Sequence, residues 1–405
     1  MVTGFTVVLS LWLATAPAVG QGEVVLGMSA AFTGASSQLG IELYRGSMAY
    51  FQHVNDSGGM NGVKIRIQAY DDAYDPTKAI MNSIKLIEQD KVFLLFNYVG
   101  TPTVTRVLPV LTRFSDRQML LFFPFTGAEP QRSPPYSRYA FNLRASYRDE
   151  TAELVNYFMV SNRKRIGMFY QVDAYGRSGW DGVRTALQNY GTKMVAETTY
   201  RRGAPYSTSM KTQVEILRAA KVDAVIAIGA YAASAAFIRD AVDAGWDVPI
   251  ANVSFVGSES MLQLLLKEGQ QKNKDYTRQL VNSQVVPSYE DLSLPAVREY
   301  REMLDKYKPA PPPGFGNPSV PPTYSFVGFE GFLNAKLLVH ILSGMGSAPD
   351  ALQLRDRVEQ IQNYDIGIRA PIHFSRERNQ GLNTVYYTRV DKGRFVPLTP
   401  GTNAP

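Results

Sequence analysis

The 405-residue chain has no cysteine, which removes disulfides, thiolate zinc and iron-sulfur sites, a thiol nucleophile and a lipid-anchoring cysteine at the end of an export signal. Histidine is nearly as scarce. His53, His340 and His373 lie far apart, so a Ser-His-Asp arrangement or a multi-histidine metal site has little to draw on. No Walker loop, nucleophile elbow, HExxH or GxGxxG occurs. Charge is sparse at 19%, and the 42 Lys and Arg exceed the 36 Asp and Glu mostly as singlets and short clusters such as 163–165. The basic stripe of a nucleic-acid binder is therefore missing. Neither a cofactor, a metal nor a nucleic-acid partner is expected. An enzyme would have to rest on Asp173 or Glu330 as its acid or base.

What is present describes a folded protein: 45% hydrophobic residues, with 23 Tyr and 20 Phe. The length predicts two or three folding units. Residues 5–18 form an apolar run, and Ala18 and Gly20 are the small residues of a cleavage site before Gln21, so 1–20 reads as an export signal, although no Lys or Arg precedes the run. The run is shorter than the ~20 apolar residues of a membrane span. A soluble, exported product is expected.

Beyond the signal, runs of Val, Ile and Leu alternate with amphipathic stretches, the pattern of parallel strands connected by helices. Strands are predicted at 24–29, 63–70, 92–96 and 120–123, with helices at 41–55 and 76–90, and this α/β unit closes near residue 145. A second unit repeats the grammar, with helices at 151–160, 179–190, 208–220 and 233–244 and strands at 165–170, 193–200 and 224–228. Residues 309–322 hold seven prolines, which forbid helix or central strand and predict a stiff loop on one lobe. The apolar helix predicted at 326–342 must pack onto something, and 391–405 reads as peripheral.

Loops rich in Gly, Ser and Thr follow the predicted strand ends at 31–40, 97–103 and 124–128. In open parallel sheets ligands bind beyond the carboxyl ends of the strands, where helix N-termini and hydroxyls supply donors. The second unit has aromatics in the matching places, at 170–176, 229–231 and 254–257. Asp71, Asp72 and Asp75 could suggest a cation site, but before Pro76 they read better as caps for the next helix.

Five segments carry a resemblance: FTGASSQLG at 32–40, NDSGGMNGVKIRIQAYDDAYDPTKA at 55–79, NYVGTPT at 97–103, QVDAYGRSG at 171–179 and DAVIAIGAYAASAAFIRDAVDAGW at 223–246. Over residues 24–390 the chain resembles the type I periplasmic substrate-binding proteins of the branched-chain amino acid (Leu/Ile/Val) family. The resemblance implies two Rossmann-like lobes joined by three crossing strands, near 144–146, 284–287 and 371–374, with ligand held in the cleft between them. Lobe 1 would take 24–145 and 286–370, lobe 2 would take 146–285 and 371–395, and 396–405 would be a tail.

The family's carboxylate-gripping loop matches Gly100, Thr101 and Thr103, with Tyr98 just before them; the second such loop matches Phe125, Thr126 and Gly127, and the aromatic lids match Tyr175 and Tyr231. Two departures stand out. Gly100 replaces a family Ser, and the acidic partner of a ligand ammonium falls on Ser254, with Glu259 a small gap away. The implied role is capture of an amino acid or related carboxylate or amide in the periplasm for an ABC permease, by a monomer; the alternative is a receptor presenting ligand to a sensor ectodomain. Tyr175→Ala and Thr126→Val are expected to weaken binding with little change in the melting temperature of the empty protein. The reading requires the strand-terminal turns to face one another across a gap free of the protein's own side chains.

Overall fold

The computed structural model describes residues 22–315 and 321–398; the expected export signal, residues 316–320 of the proline-rich loop and most of the expected tail lie outside them. The chain opens with β1 (Glu23–Ala30), α1 (Ser37–Asp56), β2 (Lys64–Asp71), α2 (Pro76–Glu88), β3 (Leu94–Phe96), α3 (Thr101–Arg113), β4 (Leu121–Phe122) and β5 (Ala140–Phe141). Their strands form a parallel sheet in the order β2-β1-β3-β4-β5.

Local chemistry fixes the boundaries. The Asp75 carboxylate accepts from Thr77 N and Lys78 N at the start of α2, ahead of Pro76 at its first position. Asp71 instead ties the loop after β1, accepting from Phe32 N at 2.8 Å, and the buried Asp72 accepts from Ser29 Oγ at 2.8 Å and Tyr74 N at 2.8 Å. The three carboxylates thus organise turns.

The second set comprises α4 (Tyr147–Val160), β6 (Ile166–Gln171), α5 (Ala174–Asn189), β7 (Ala196–Tyr200), α6 (Lys211–Ala219), β8 (Ala224–Ile228), α7 (Tyr231–Asp243), β9 (Ile250–Asn252), α8 (Ser258–Lys272) and β10 (Leu280–Gln284). After it come α9 (Pro295–Tyr307), α10 (Phe326–Ser343), α11 (Ala351–Glu359), the small antiparallel pair β11 (Tyr364–Asp365) and β12 (Pro371–Ile372), then β13 (Tyr386–Asp391) and β14 (Arg394–Pro397). The second sheet runs β14-β13-β10-β9-β8-β6-β7, parallel except for β13 and β14. AVIAI of β8 is buried throughout, as a central strand covered on both faces requires.

Past β10 the chain returns to the first sheet, where α10 lies against α1. The approach is close: a Cβ on Gly46 would stand 1.8 Å from Gly328 O, and one on Gly331 2.2 Å from Leu43 O. Among the described residues α10 is the one helix long and apolar enough to cross a membrane, but it is mostly buried in this packing.

Two expectations need correction. Residues 371–374 do not cross: Pro371 and Ile372 pair back onto β11, and the third crossing comes later, where Asn379 O accepts from Asn142 N and Leu382 N donates to Leu143 O before the chain enters the second sheet at Tyr386. The chain from Asp391 on is also not all peripheral, because Arg394–Pro397 adds a paired edge strand. A four-residue strand with one buried side chain, Phe395, leaves little hydrophobic pattern to read.

Candidate functional site

The site forms where the carboxyl ends of the two sheets meet. Gly100 caps α3 with φ +102°, a left-handed backbone, and the side chain that fills the space beside it is Tyr74. A Cβ at Gly100 would lie 2.0 Å from Tyr74 Cε2, which is why the residue is glycine where the resemblance would place serine. Thr101 and Thr126 join the two turns by a 2.7 Å hydroxyl contact, and Thr126 Oγ1 also accepts from Ala128 N at 3.2 Å. Gly127 lies under Tyr147, whose N–H donates to its carbonyl at 2.7 Å. Arg132 steadies this turn from behind by donating to Thr126 O and Ala128 O; burial lowers its pKa to about 10.

The second lobe supplies the opposing wall. Tyr175, at the start of α5, is fully buried, with its hydroxyl donating to Gly229 O at 3.3 Å and its ring against Tyr147 and Phe255 at 5.4 and 4.6 Å. Tyr231 reaches across to the first lobe, where its hydroxyl accepts from Gln38 N at 3.5 Å. Two expected residues do not reach this seam. Tyr98 lies in the core beneath α2 and α3, its hydroxyl 3.0 Å from Ser83 Oγ, and the Thr103 hydroxyl turns back onto the carbonyls of Val99 and Gly100.

Sequence reasoning missed the centre of the seam as a set of site residues. Arg144, in the first crossing, is 2% exposed and lies over the Phe125 ring at 4.6 Å. Glu150 of α4 and Glu330 of α10 stand 3.6 Å from its guanidinium on two sides. Burial opposes the Arg144 charge, but Glu330 and Glu150 together hold its pKa above the ordinary value. Ser254 is part of this cluster. It accepts from Arg144 Nη2 and donates to Glu150 through both its hydroxyl, at 2.9 Å, and its N–H, at 2.7 Å. Ser283 Oγ adds a further donor to Glu150 at 2.6 Å.

Glu330 has no such support. Among the described residues nothing donates a hydrogen bond to it, and burial, outweighing Arg144, pushes its carboxyl up to about 7. Arg144 Nε and Nη1 likewise make no hydrogen bond. Buried polar groups are otherwise almost always paired. Nothing in single-sequence patterning marks these residues, since isolated charges in a sequence read as surface.

The turns therefore face one another, as the sequence reading requires, but its second requirement is not met, because the gap is filled by the protein's own side chains. Phe255, in the turn after β9, is fully buried with its ring 5.2 Å from Phe125, 4.6 Å from Tyr175 and 6.1 Å from Tyr74, so it touches aromatic rings of both lobes. In this conformation the seam is closed on the protein's own side chains, and access to the polar groups behind Phe255 needs the lobes to part.

Comparison with known proteins gives three kinds of likeness. A family model described as periplasmic binding protein matches residues 23–394. Among curated sequences, an amino acid binding protein of Pseudomonas aeruginosa is 26% identical over 47% of this chain and 50% of its own length, and Leu/Ile/Val-binding protein homolog 2 of Brucella abortus is 25% identical over 55% and 58%. The chain thus spans half to three fifths of the length of these relatives. Among solved structures, a possible leucine/isoleucine/valine-binding protein from Rhodopirellula baltica superposes with a TM-score of 0.82 at 26% identity, covering 94% of this chain and 98% of that one.

Proposed function

The chain belongs to the periplasmic binding protein family, and from that membership we propose that it captures a small metabolite, an amino acid or a related carboxylate or amide, between its two lobes and delivers it to an ABC permease from the periplasm. The observation that carries the reading is the ionic cluster at the seam. Taking an ion out of water has an effective penalty of several kcal/mol, so an interface that only held two lobes together would be built from apolar side chains. Here Arg144, Glu150 and Glu330 are buried with two Arg144 donors left over. A bound head group would supply the missing partners.

Thr101 and Thr126, at the N-terminus of α3 and in the adjoining turn, would hold an anionic or carbonyl oxygen; Tyr175 and Phe255 would close over the tail. Binding then proceeds through an opened form in which Phe255 leaves the gap, and a ligand bridging both walls draws the lobes together again.

A thermal-shift screen over amino acids, short amides, aromatic acids and urea-like compounds tests this. A true ligand present at about 100 times its Kd adds about 2.7 kcal/mol to stability, a rise of several degrees in Tm. The compound should be recovered unchanged after incubation. Absence of any stabilising compound in that set, or conversion of the one that binds, counts against the reading.

A further inference from the structure

A second group of buried acids crosses the seam away from Arg144. Glu42 lies on α1 of the first lobe and Glu259 in the first turn of α8 of the second, exposed by only 2% and 6%. Each is held by the opposite lobe. Ser260 Oγ, next to Glu259, donates to Glu42 Oε1 at 2.7 Å, and Phe326 N, at the start of α10, donates to Glu259 Oε2 at 3.3 Å. The other oxygen of each acid makes no hydrogen bond of good geometry, although the Ser325 and Tyr289 hydroxyls stand nearby.

The groups facing the pair offer no direct counter-ion. Arg45, one turn along α1, directs its guanidinium to Pro309 O at 2.9 Å and Pro322 O at 3.3 Å and makes no ion pair with Glu42. From the remaining elements come Tyr231 of α7, Tyr289 beside Glu290 after β10, and Tyr300 of α9. Burial raises the pKa of all three tyrosines, so they are neutral. Two buried carboxylates on facing elements, joined through Ser260 with no cation paired to either, are disfavoured as two ions.

We propose that Glu42 and Glu259 form a proton-operated latch: in the absence of ligand, closing the lobes takes up one proton from solvent onto this pair, and loss of that proton releases them. The inference rests on the lobe closure proposed above. Its sign follows from the burial. Desolvation first, and then the Glu42 charge, push Glu259 up to about 8, and desolvation also raises Glu42. In an opened form both acids would face water and ionise near 4.5. The closed form is then favoured in acid and loses ground as pH rises toward 8. A receptor of this kind would hold itself shut at low pH and need its ligand to stay closed in mild alkali.

The test uses the full chain, whose lack of native cysteine permits clean double labelling at Met81→Cys on α2 and Ile216→Cys on α6, exposed by 65% and 46%. Single-molecule energy transfer between these positions, without ligand, reads the ratio of closed to open molecules. One proton of coupling changes that ratio about tenfold per pH unit between roughly 5 and 8. Glu259→Gln should remove the part of the dependence that extends between about pH 7 and 8, leaving below that the part that Glu330 contributes. Glu42→Gln, the second variant, should weaken the dependence without abolishing it, because it removes the neighbouring charge but leaves the burial of Glu259. If two distances are populated but their ratio ignores pH, or both variants follow the parent, the latch is wrong while lobe closure stands. If a single distance persists at every pH and with every compound of the screen, closure itself fails and the latch with it.

Discussion

Gly100 is the position where this site departs most visibly from its family resemblance, and restoring a side chain there is the sharpest test of why. Gly100→Ala adds one methyl group, with two costs. The backbone stays at φ +102°, which for a residue with a Cβ costs about 1–3 kcal/mol. The new Cβ would also stand 2.0 Å from Tyr74 Cε2 and 2.8 Å from Cδ2, and relieving such overpacking costs about another 1–3 kcal/mol. A loss of about 4 kcal/mol is expected in urea unfolding at unchanged m-value. Tyr74→Ala separates the two parts. By itself it should cost about 3–5 kcal/mol, since the ring is 3% exposed against Phe255. Combined with Gly100→Ala the clash disappears, so the double variant should be about 1–3 kcal/mol more stable than the sum of the single losses implies. Additivity within about 0.5 kcal/mol, or a Gly100→Ala variant as stable as the parent, would refute the idea that Tyr74 dictates glycine here.

Burial pushes Asp72 up to about 7, against its Ser29 and Tyr74 hydrogen bonds. A raised native value means its contribution is fully present below the unfolded value near 4 and is lost as pH rises through 7. Between pH 5 and 8 the parent should therefore lose about 2–3 kcal/mol more stability than Asp72→Asn, measured by urea unfolding at both pH values; equal losses would show that Asp72 is ionised at no cost. Thr126→Val should lower the melting temperature modestly, by removing contacts to Thr101 and Ala128 N worth about 1–2 kcal/mol together, and should weaken binding of any hit from the ligand screen. For Tyr175→Ala the structure corrects the expectation of an unchanged melting temperature: the ring is packed between Tyr147 and Phe255, so truncation should destabilise the empty protein by about 3–5 kcal/mol. Tyr175→Phe, which keeps the ring and loses only the bond to Gly229 O, is the cleaner binding probe.

The architecture was legible wherever periodicity was long. β1, β2, α1 and α2 carry enough alternation or helical spacing to be placed within a few residues, and the full burial of β8 follows from its run of Ala, Val and Ile. Short or interrupted elements were not. β5 has two residues, and α3 begins at Thr101 with Pro102 and Pro109 inside it, so its start reads as loop. The site was half visible. Thr101, Thr126, Tyr175 and Phe255 follow strand ends and could be found by that rule, whereas Tyr74 reaches the seam from a turn whose direction no pattern encodes. Arg144 and Glu150 lie close together in the chain but Glu330 comes from a distant stretch, and only the tertiary fold turns their charges inward.

The contact between α1 and α10 joins residues near position 46 to residues near position 328, with the whole second sheet's parallel strands made in between. During synthesis the first sheet therefore emerges long before the helix that covers α1, and its apolar flank stays bare until most of the polypeptide has left the ribosome. Such a late-arriving cover makes the nascent first half the species prone to sticking to its neighbours, the stage at which a chaperone would have most to do.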